Sequence, residues 1–217
     1  MSSAQKMSNS PHSYIAIEGV IGAGKTTYAQ FLAHSFQAKI LLEEYEENPF
    51  LAKFYGDAET YGFPLELSFL ASRYHQVKYI IEKNELFHDT IISDFVLYKS
   101  LVFASINLKG DELELYKKLF QIMFQQIPVP DLTIYIYHTV DQLRQNILKR
   151  GRPYEQAISN EYLEMLNENY LSYFKQLAHH RIVVIDGKNM NIIDHPTNQS
   201  RLLEIASGQY PLGVTYV

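Results

Sequence analysis

The chain has 217 residues, of which 47% are hydrophobic and 20% are charged, so it is long enough to fold as one globular domain with a substantial core. Its formal net charge of −5 disfavours nucleic acid as the main partner, because a phosphate backbone binds clustered lysine and arginine. No apolar run approaches the ~18 residues that a transmembrane helix needs, which argues against a membrane-spanning protein.

Residues 1–13, MSSAQKMSNSPHS, are polar and lack the hydrophobic region of a signal peptide, so we expect a disordered leader. Residues 14–217 contain no repeat, low-complexity tract or convincing linker, and we expect them to form a single domain. The sequence has no cysteine, which excludes disulfides and cysteine-bound metals and favours a reducing, cytoplasmic location.

Apolar, β-branched runs alternate with helical patterns along this domain, which predicts an α/β fold: a five-stranded parallel sheet flanked by helices on both faces. The predicted strands are Tyr14–Glu18, Ile40–Glu43, Thr90–Asp94, Leu132–Tyr137 and Ile182–Asp186. The predicted helices are Lys25–Phe36, Pro49–Tyr55, Pro64–Lys83, Val96–Asn107, Asp111–Gln126, Val140–Arg150, Asn160–Ala178 and Ser200–Ala206. In such sheets ligands bind at the carboxyl ends of the strands, so acidic residues at those ends are candidate site residues.

The first predicted strand leads into an octapeptide that matches the phosphate-binding P-loop, G-x-x-x-x-G-K-[ST]. Its glycines allow backbone N–H groups to point at phosphate oxygens, Lys25 reaches the β- and γ-phosphates, and the Thr26 hydroxyl can hold Mg²⁺. We therefore expect ATP or another nucleoside triphosphate as ligand and Mg²⁺ as cofactor. The predicted ATP-binding residues are Gly19, Val20, Ile21, Gly22, Ala23, Gly24, Lys25, Thr26 and Thr27.

Two later strand ends carry carboxylates that suit phosphoryl transfer. Strand alternation turns one of Glu43 and Glu44 toward the site, where a carboxylate can accept the proton of an attacking hydroxyl. Asp94 ends the third predicted strand and can bind Mg²⁺ directly or through water, as the acid of a Walker-B-type site does. Its alternative role is structural, as the N-cap of the helix that follows.

Basic residues cluster in the segment KRGRPYEQ, which begins at Lys149. Arg150 and Arg152 are spaced to close over a transferring phosphate, and guanidinium groups match phosphate geometry. The alternative is an ordinary helix C-terminus, where basic side chains complement the helix dipole. Because a P-loop enzyme needs a lid, we favour the catalytic role for at least one of the two arginines.

Five segments in this order resemble the deoxynucleoside kinase family: EGVIGAGKTT, LEEYEENPFLAKFY, FPLELSFLASRY, SDFVLYKSLVFA and KRGRPYEQ. The resemblance spans about residues 14–190, and within the family it points to the bacterial deoxyguanosine kinase type. It implies a P-loop kinase with a short arginine-bearing lid that transfers the γ-phosphate of ATP to the 5′-hydroxyl of a purine deoxynucleoside. It also implies a homodimer that is formed through helices.

The resemblance implies roles for individual residues. Glu44 falls at the position of the catalytic base, which leads to the prediction that Glu44 and not Glu43 carries this role. The remaining assignments are Lys25, Arg150 and Arg152 for catalysis, Tyr55 and Glu155 for the sugar 3′-hydroxyl, Glu66 and Arg73 for the base, and Thr26 and Asp94 for the metal. We also expect Asp94 to contribute to binding of the substrate.

Two positions depart from the family pattern. Many members carry an arginine directly after the strand-end acid, where this chain has Phe95, so an arginine near the catalytic base is missing or replaced from elsewhere. Asn146 lies in the lid helix where the family often has an arginine over the donor base. Arg144 is a candidate substitute, although it faces a different side of that helix.

The predicted preference for guanine depends on Glu66 and Arg73. A carboxylate accepts from guanine N1–H and the 2-amino group, and an arginine donates to O6 and N7. The alternative is that the two side chains pair with each other on an exposed helix. The competing functions are a deoxyadenosine or broad-specificity kinase, a nucleoside monophosphate kinase, which the acceptor segment disfavours, and a non-catalytic nucleotide-binding regulator.

Overall fold

The structure, a computed structural model, describes residues 10–44, 48–84, 90–193 and 195–217, without the side chains of residues 80–84. Its strands are β1 Tyr14–Glu18, β2 Lys39–Leu41, β3 Ile91–Ser93, β4 Leu132–Tyr137, β5 Arg181–Asp186 and β6 Gly213–Tyr216. Within the described residues these strands form one sheet in the order β2-β3-β1-β4-β5-β6, and every neighbouring pair is parallel.

Helices connect the strands, as parallel pairing requires. They are α1 Lys25–Phe36, α2 Leu51–Gly56, α3 Ala58–Asn84, α4 Lys99–Asn107, α5 Gly110–Phe124, α6 Val140–Arg150, α7 Asn160–Gln176 and α8 Pro196–Ser207. Two short 3₁₀ segments, Pro153–Ala157 and Gly187–Asn189, follow α6 and β5. None of the helices in the described part of the chain combines the length and hydropathy of a transmembrane span.

The predicted α/β fold with a parallel sheet is confirmed, but the sheet has a sixth strand. The run Gly213–Tyr216 pairs with β5 only, at the edge of the sheet, and is too short and too exposed to show a buried apolar pattern. Helix α3 begins at Ala58 and not at Pro64, so the proline lies inside the helix. Proline favours the first turn of a helix, which is why its position misplaced the predicted start.

Residues 10–13, which fell in the predicted disordered leader, pack against the domain. The His12 side chain is buried and its Nε2 lies 2.9 Å from the carbonyl oxygen of Gly208. The backbone N–H groups of Ser13 and Tyr14 donate to Asp131 Oδ2 at 2.8 and 3.0 Å, which fixes the start of β1. The rest of the predicted leader, residues 1–9, lies outside the described residues.

The central strand β1 places the site. All five of its residues are buried between β3 and β4, and its last side chain, Glu18, is fully buried. Glu18 accepts hydrogen bonds from the backbone N–H of Gly19 at 2.9 Å and of Val96 at 3.3 Å. One carboxylate therefore joins the start of the P-loop to the segment after β3, and burial raises its pKa.

Candidate active site

A cavity of about 690 Å³ opens at the carboxyl ends of β1, β2 and β3. It is bounded by the P-loop, by α3 and α4, and by the segment after α6. Most of the residues predicted from the sequence line it, namely Ile21, Gly22, Ala23, Gly24, Lys25, Thr26, Thr27, Tyr55, Glu66, Arg73, Asp94, Arg150, Arg152 and Glu155. Gly19, Val20 and Glu44 are not part of the lining.

The P-loop turns into α1 through two glycines with positive φ, Gly22 at 89° and Gly24 at 84°. The Lys25 ammonium folds over the loop and donates to the carbonyl oxygens of Gly19 at 2.8 Å and Val20 at 3.2 Å. Burial lowers the pKa of Lys25 to about 8, and the positive charge of Lys99 acts in the same direction. A phosphate bound here would add negative charge next to the Lys25 ammonium, and the start of α1 would contribute its dipole.

Asp94 connects α1, the helix that follows the P-loop, to the segment after β2 that carries Glu43. Its Oδ2 accepts from the Thr26 hydroxyl at 2.5 Å, and its Oδ1 accepts from the backbone N–H of Glu43 at 2.7 Å. The alternative role of Asp94 as a helix N-cap does not hold, since α4 begins only at Lys99. No group of three or more His, Cys, Asp or Glu side chains suited to a metal occurs in the described residues. The adjacent Thr26 and Asp94 oxygens fit Mg²⁺, which usually takes only one or two carboxylates and completes its shell with phosphates and water.

Of the two adjacent glutamates, the one that faces the cavity is not the one that the sequence analysis favoured. Glu43, and not Glu44, projects into the cavity, while the Glu44 side chain is exposed. The alternation argument holds in that the two side chains diverge, but β2 ends at Leu41 and cannot fix which one turns inward. The backbone hydrogen bond from Glu43 to Asp94 fixes it instead.

Glu43 is held between two buried cations. Its Oε1 lies 2.6 Å from Arg73 Nε, and its Oε2 lies 2.6 Å from Lys99 Nζ. Burial alone would raise the pKa of Glu43, but Lys99 and Arg73 outweigh it and hold that pKa well below its ordinary value. The carboxylate is therefore ionised, oriented and close to the P-loop.

Lys99 is a site residue that the sequence reasoning missed. Phe95, at the position where the resemblance led us to look for an arginine, is fully buried in the core, and the cation comes from Lys99 in the first turn of α4. The signal was present in the sequence as a single lysine within the apolar run VLYKSLVFA. A lysine in such surroundings is rarely buried without a charged partner.

Glu66 and Arg73 both face the cavity but do not pair with each other. Arg73 Nε binds Glu43, and its Nη1 donates to Ser100 Oγ at 2.8 Å. Glu66 accepts from Asn107 Nδ2 at 2.7 Å through Oε1, whereas its Oε2 is buried without a hydrogen-bond partner in the described part of the chain. The alternative of an exposed Glu66–Arg73 pair does not hold, since both side chains are almost fully buried.

In the lid, Arg150 and Arg152 both bind the carboxylate of Glu155. Helix α6 ends at Arg150, and Gly151 turns the chain with a φ of 74° into the 3₁₀ segment that carries Glu155. Arg150 Nε donates to Glu155 Oε2 at 3.0 Å, and Arg152 Nη1 donates to Oε1 at 3.2 Å. Tyr55 lies in the same wall of the cavity. Burial and, as the second cause, the charge of Glu155 raise the pKa of the Tyr55 phenol.

The lid helix also contacts the P-loop. Asn146 Nδ2 donates to the carbonyl oxygen of Gly22 at 2.9 Å and lines the cavity. Arg144, the candidate substitute over a donor base, instead donates to the carbonyl oxygen of Ile158 at 2.7 Å and does not line the cavity. The position that departs from the family pattern therefore ties α6 to the phosphate-binding loop.

Comparison with known proteins matches most of the chain to one family. The family model described as "Deoxynucleoside kinase" matches residues 15–207. A deoxyguanosine kinase of Bacillus subtilis (strain 168) is 35% identical over 197 residues, which cover 87% of this chain and 93% of that protein. A deoxyadenosine/deoxycytidine kinase of the same organism is 33% identical over 174 residues, covering 75% of this chain and 78% of that protein.

Solved structures give the same result. The structure of deoxyadenosine kinase from M. mycoides with bound dATP has a TM-score of 0.76 and a sequence identity of 25%. The match covers 91% of this chain and 100% of that chain. The similarity thus extends over nearly the whole fold.

Replacing Gly22 by alanine tests the contact between the P-loop and the lid helix. A Cβ at this position would lie 2.8 Å from the carbonyl oxygen of Leu143 and 3.0 Å from Ile147 Cγ1, on a backbone with φ of 89°. We expect the free energy of unfolding to fall by about 1–3 kcal/mol, measured by urea denaturation, together with weaker nucleotide binding.

Gly56→Ala is the matched control, because nothing lies within 4 Å of its added Cβ. We expect that change to alter the free energy of unfolding by less than about 1 kcal/mol. Equal effects of the two substitutions would contradict the close approach of α6 to the P-loop.

Proposed function

This chain belongs to the deoxynucleoside kinase family, and we propose that it transfers the γ-phosphate of ATP preferentially to the 5′-hydroxyl of deoxyguanosine. Membership of the family makes it an ATP-dependent phosphotransferase. The observation that supports the acceptor most directly is the buried carboxyl of Glu66, which lines the cavity and whose Oε2 has no partner among the described residues. A deoxyadenosine or broad-specificity kinase is the second candidate, since deoxyadenosine kinases are among its relatives.

Glu43 is the proposed catalytic base. Phosphoryl transfer requires little covalent chemistry from the protein, so orienting the attacking hydroxyl and accepting its proton are the main tasks of a carboxylate. Glu43 is ionised and lies in the cavity that the P-loop borders, whereas Glu44 is exposed outside it. A non-catalytic regulator would have no use for such a base, which disfavours that alternative.

The phosphate groups of the donor are proposed to lie against the P-loop N–H groups and Lys25. Arg150 and Arg152 would leave Glu155 in part and bind the transferring phosphoryl group, where guanidinium groups stabilise the developing charge. Thr26 and Asp94 are proposed to hold Mg²⁺, which would neutralise phosphate charge when bound. Asp94 already joins the helix after the P-loop to the segment that carries Glu43, because it accepts from the Thr26 hydroxyl and from the Glu43 N–H.

The sugar and base are proposed to bind between α2, α3 and α4. Tyr55 and Glu155 would bind the 3′-hydroxyl from the lid side of the cavity. An ionised Glu66 would accept from guanine N1–H and the 2-amino group. Arg73 already binds Glu43 and Ser100, so its predicted contact with the base would have to use its remaining N–H groups.

Two further properties are proposals of the same kind. Leu115 and Ile122 are exposed and lie two turns apart on α5, so they share a face that a second copy of the chain would cover in a homodimer. Analytical ultracentrifugation of the wild type and of a Leu115→Glu/Ile122→Glu variant would test the dimer. A cytoplasmic location is supported by the use of ATP and by the lack of cysteine.

A coupled assay with ATP, Mg²⁺ and four deoxynucleosides tests the proposed function. We expect deoxyguanosine to have the highest kcat/KM, deoxyadenosine to follow, and the pyrimidine nucleosides to react poorly. Lys25→Met provides the inactive control. A preference for a pyrimidine nucleoside would contradict the proposed acceptor, and transfer to a nucleoside monophosphate would indicate a different kinase class.

Glu43→Gln should lower kcat by about 10²–10⁴, the usual effect of removing a general base. Glu44→Gln is the control at the neighbouring position and should keep near wild-type kcat, because that side chain is exposed. Steady-state kinetics with deoxyguanosine compares the two. The reverse result would return the role of base to Glu44.

Lys99→Met should lower kcat by about 10²-fold, since it removes one of the two cations that hold Glu43, with a smaller change in the KM for the nucleoside. Lys99→Arg keeps the charge and should recover part of the loss. Lys117→Met changes an exposed lysine and should leave the kinetics unaltered. If Lys99→Met and Lys99→Arg gave the same kcat, the positive charge beside Glu43 would not explain the contribution of Lys99 to catalysis.

A change in the sugar tests Tyr55 and Glu155. A site that binds a substrate hydroxyl discriminates strongly against an analogue that lacks it, because its buried polar groups lose their partner. We therefore expect 2′,3′-dideoxyguanosine to have a much lower kcat/KM than deoxyguanosine, and guanosine to be disfavoured by crowding. Equal use of the dideoxy analogue would remove the 3′-hydroxyl role from both residues.

A further inference from the structure

The two oxygens of Glu66 have different surroundings. Oε1 accepts from Asn107 Nδ2 at 2.7 Å, and Asn107 Oδ1 in turn accepts from the Tyr162 hydroxyl at 3.1 Å. The amide of Asn107 is thereby oriented with its N–H group toward Glu66. Oε2 is buried and has no partner in the described part of the chain, and Glu66 is among the residues that line the cavity. A proton on this carboxyl would therefore reside on Oε2, the oxygen that is not occupied by Asn107.

The surroundings of Glu66 allow both protonation states near neutral pH. Burial raises the pKa of Glu66 to about 7, even though Arg73, the Asn107 hydrogen bond and Lys99 act in the opposite direction. Glu43 adds to the increase in the pKa, and it remains ionised because its own pKa is held low. Arg73 keeps its charge over the whole accessible pH range.

Three phenol groups also interact electrostatically with Glu66. They come from three elements other than its own helix: Tyr55 on α2, Tyr116 on α5 and Tyr162 on α7. Burial raises the pKa of each phenol, so all three stay neutral where Glu66 titrates. Among the groups that face this carboxyl, the one expected to change charge near pH 7 is Glu66 itself.

The two purines need opposite forms of this carboxyl. Guanine presents two adjacent donors, N1–H and the 2-amino group, which match the two acceptors of a carboxylate. Adenine presents an acceptor, N1, beside a donor, the 6-amino group. That edge matches a neutral carboxylic acid, whose O–H donates while its second oxygen accepts.

We propose, on the basis of the deoxynucleoside kinase function proposed above, that Glu66 selects the purine through a single proton on Oε2. The carboxylate binds deoxyguanosine, and the neutral acid binds deoxyadenosine. The enzyme is then a kinase for both purine deoxynucleosides, with a preference that depends on pH. Asn107 is the positioning residue that keeps Oε1 an acceptor in both states.

The ratio of kcat/KM for deoxyguanosine to kcat/KM for deoxyadenosine tests this directly. Each substrate uses one form of Glu66, so the ratio should rise by up to about tenfold per pH unit between about pH 6 and about pH 8.5. Groups that serve both substrates, such as Lys25 with its lowered pKa, cancel in the ratio. Glu66→Gln should make the ratio independent of pH and shift it toward deoxyadenosine, because an amide offers both a donor and an acceptor.

Glu114→Gln changes an exposed glutamate and should keep the wild-type slope. A second readout is calorimetry without ATP, in two buffers of different ionisation enthalpy. Deoxyadenosine should take up a proton when it binds above pH 7, and deoxyguanosine should release one when it binds below pH 7. Glu66→Gln should abolish both proton exchanges.

The outcomes separate this inference from the function on which it depends. Phosphorylation of both nucleosides with a flat ratio, or with a slope that persists in Glu66→Gln, would overturn the role of the Glu66 proton and leave the kinase function intact. Failure to phosphorylate either nucleoside at any pH would overturn the proposed function and this inference with it. A sloped wild-type ratio that becomes flat in Glu66→Gln supports the inference.

Discussion

The ion triplet of Glu43, Arg73 and Lys99 constrains the whole acceptor side of the cavity. A carboxylate and two cations this deeply buried are stable only while each is paired, since removing one partner leaves a charge without compensation. The three residues come from the segment after β2, from α3 and from α4, so their pairing fixes the position of three elements relative to each other. Asp94 extends this constraint to the P-loop through the Glu43 N–H and the Thr26 hydroxyl.

Much of this arrangement could be predicted from the sequence. The P-loop, the strand-end acids and the arginine-bearing lid are local patterns, and a parallel sheet brings strand ends together at one edge. The residues that were missed depend on contacts between distant segments. Strand alternation leaves Glu43 and Glu44 as alternatives and the resemblance points to Glu44, but β2 ends at Leu41, and the hydrogen bond that orients Glu43 is accepted by Asp94, 51 positions later in the chain.

Lys99 and Asn107 were missed for a related reason. Both lie on α4, and their partners lie on other elements: Glu43 after β2 for Lys99, Glu66 on α3 for Asn107. A sequence pattern can indicate that an isolated lysine in an apolar helix has a partner, but it cannot say which carboxylate that is. Strand β6 escaped prediction because an edge strand of four residues has no buried face to reveal it.

The buried position of Phe95 has an evolutionary consequence. The two carboxylate oxygens of Glu43 are already occupied by Arg73 and Lys99. An arginine introduced at position 95 while Lys99 is present would therefore add a third positive charge without a partner and replace a core side chain. An arginine at position 95 would thus fit this site only together with the loss of the Lys99 charge, so substitutions at positions 95 and 99 are expected to be coupled.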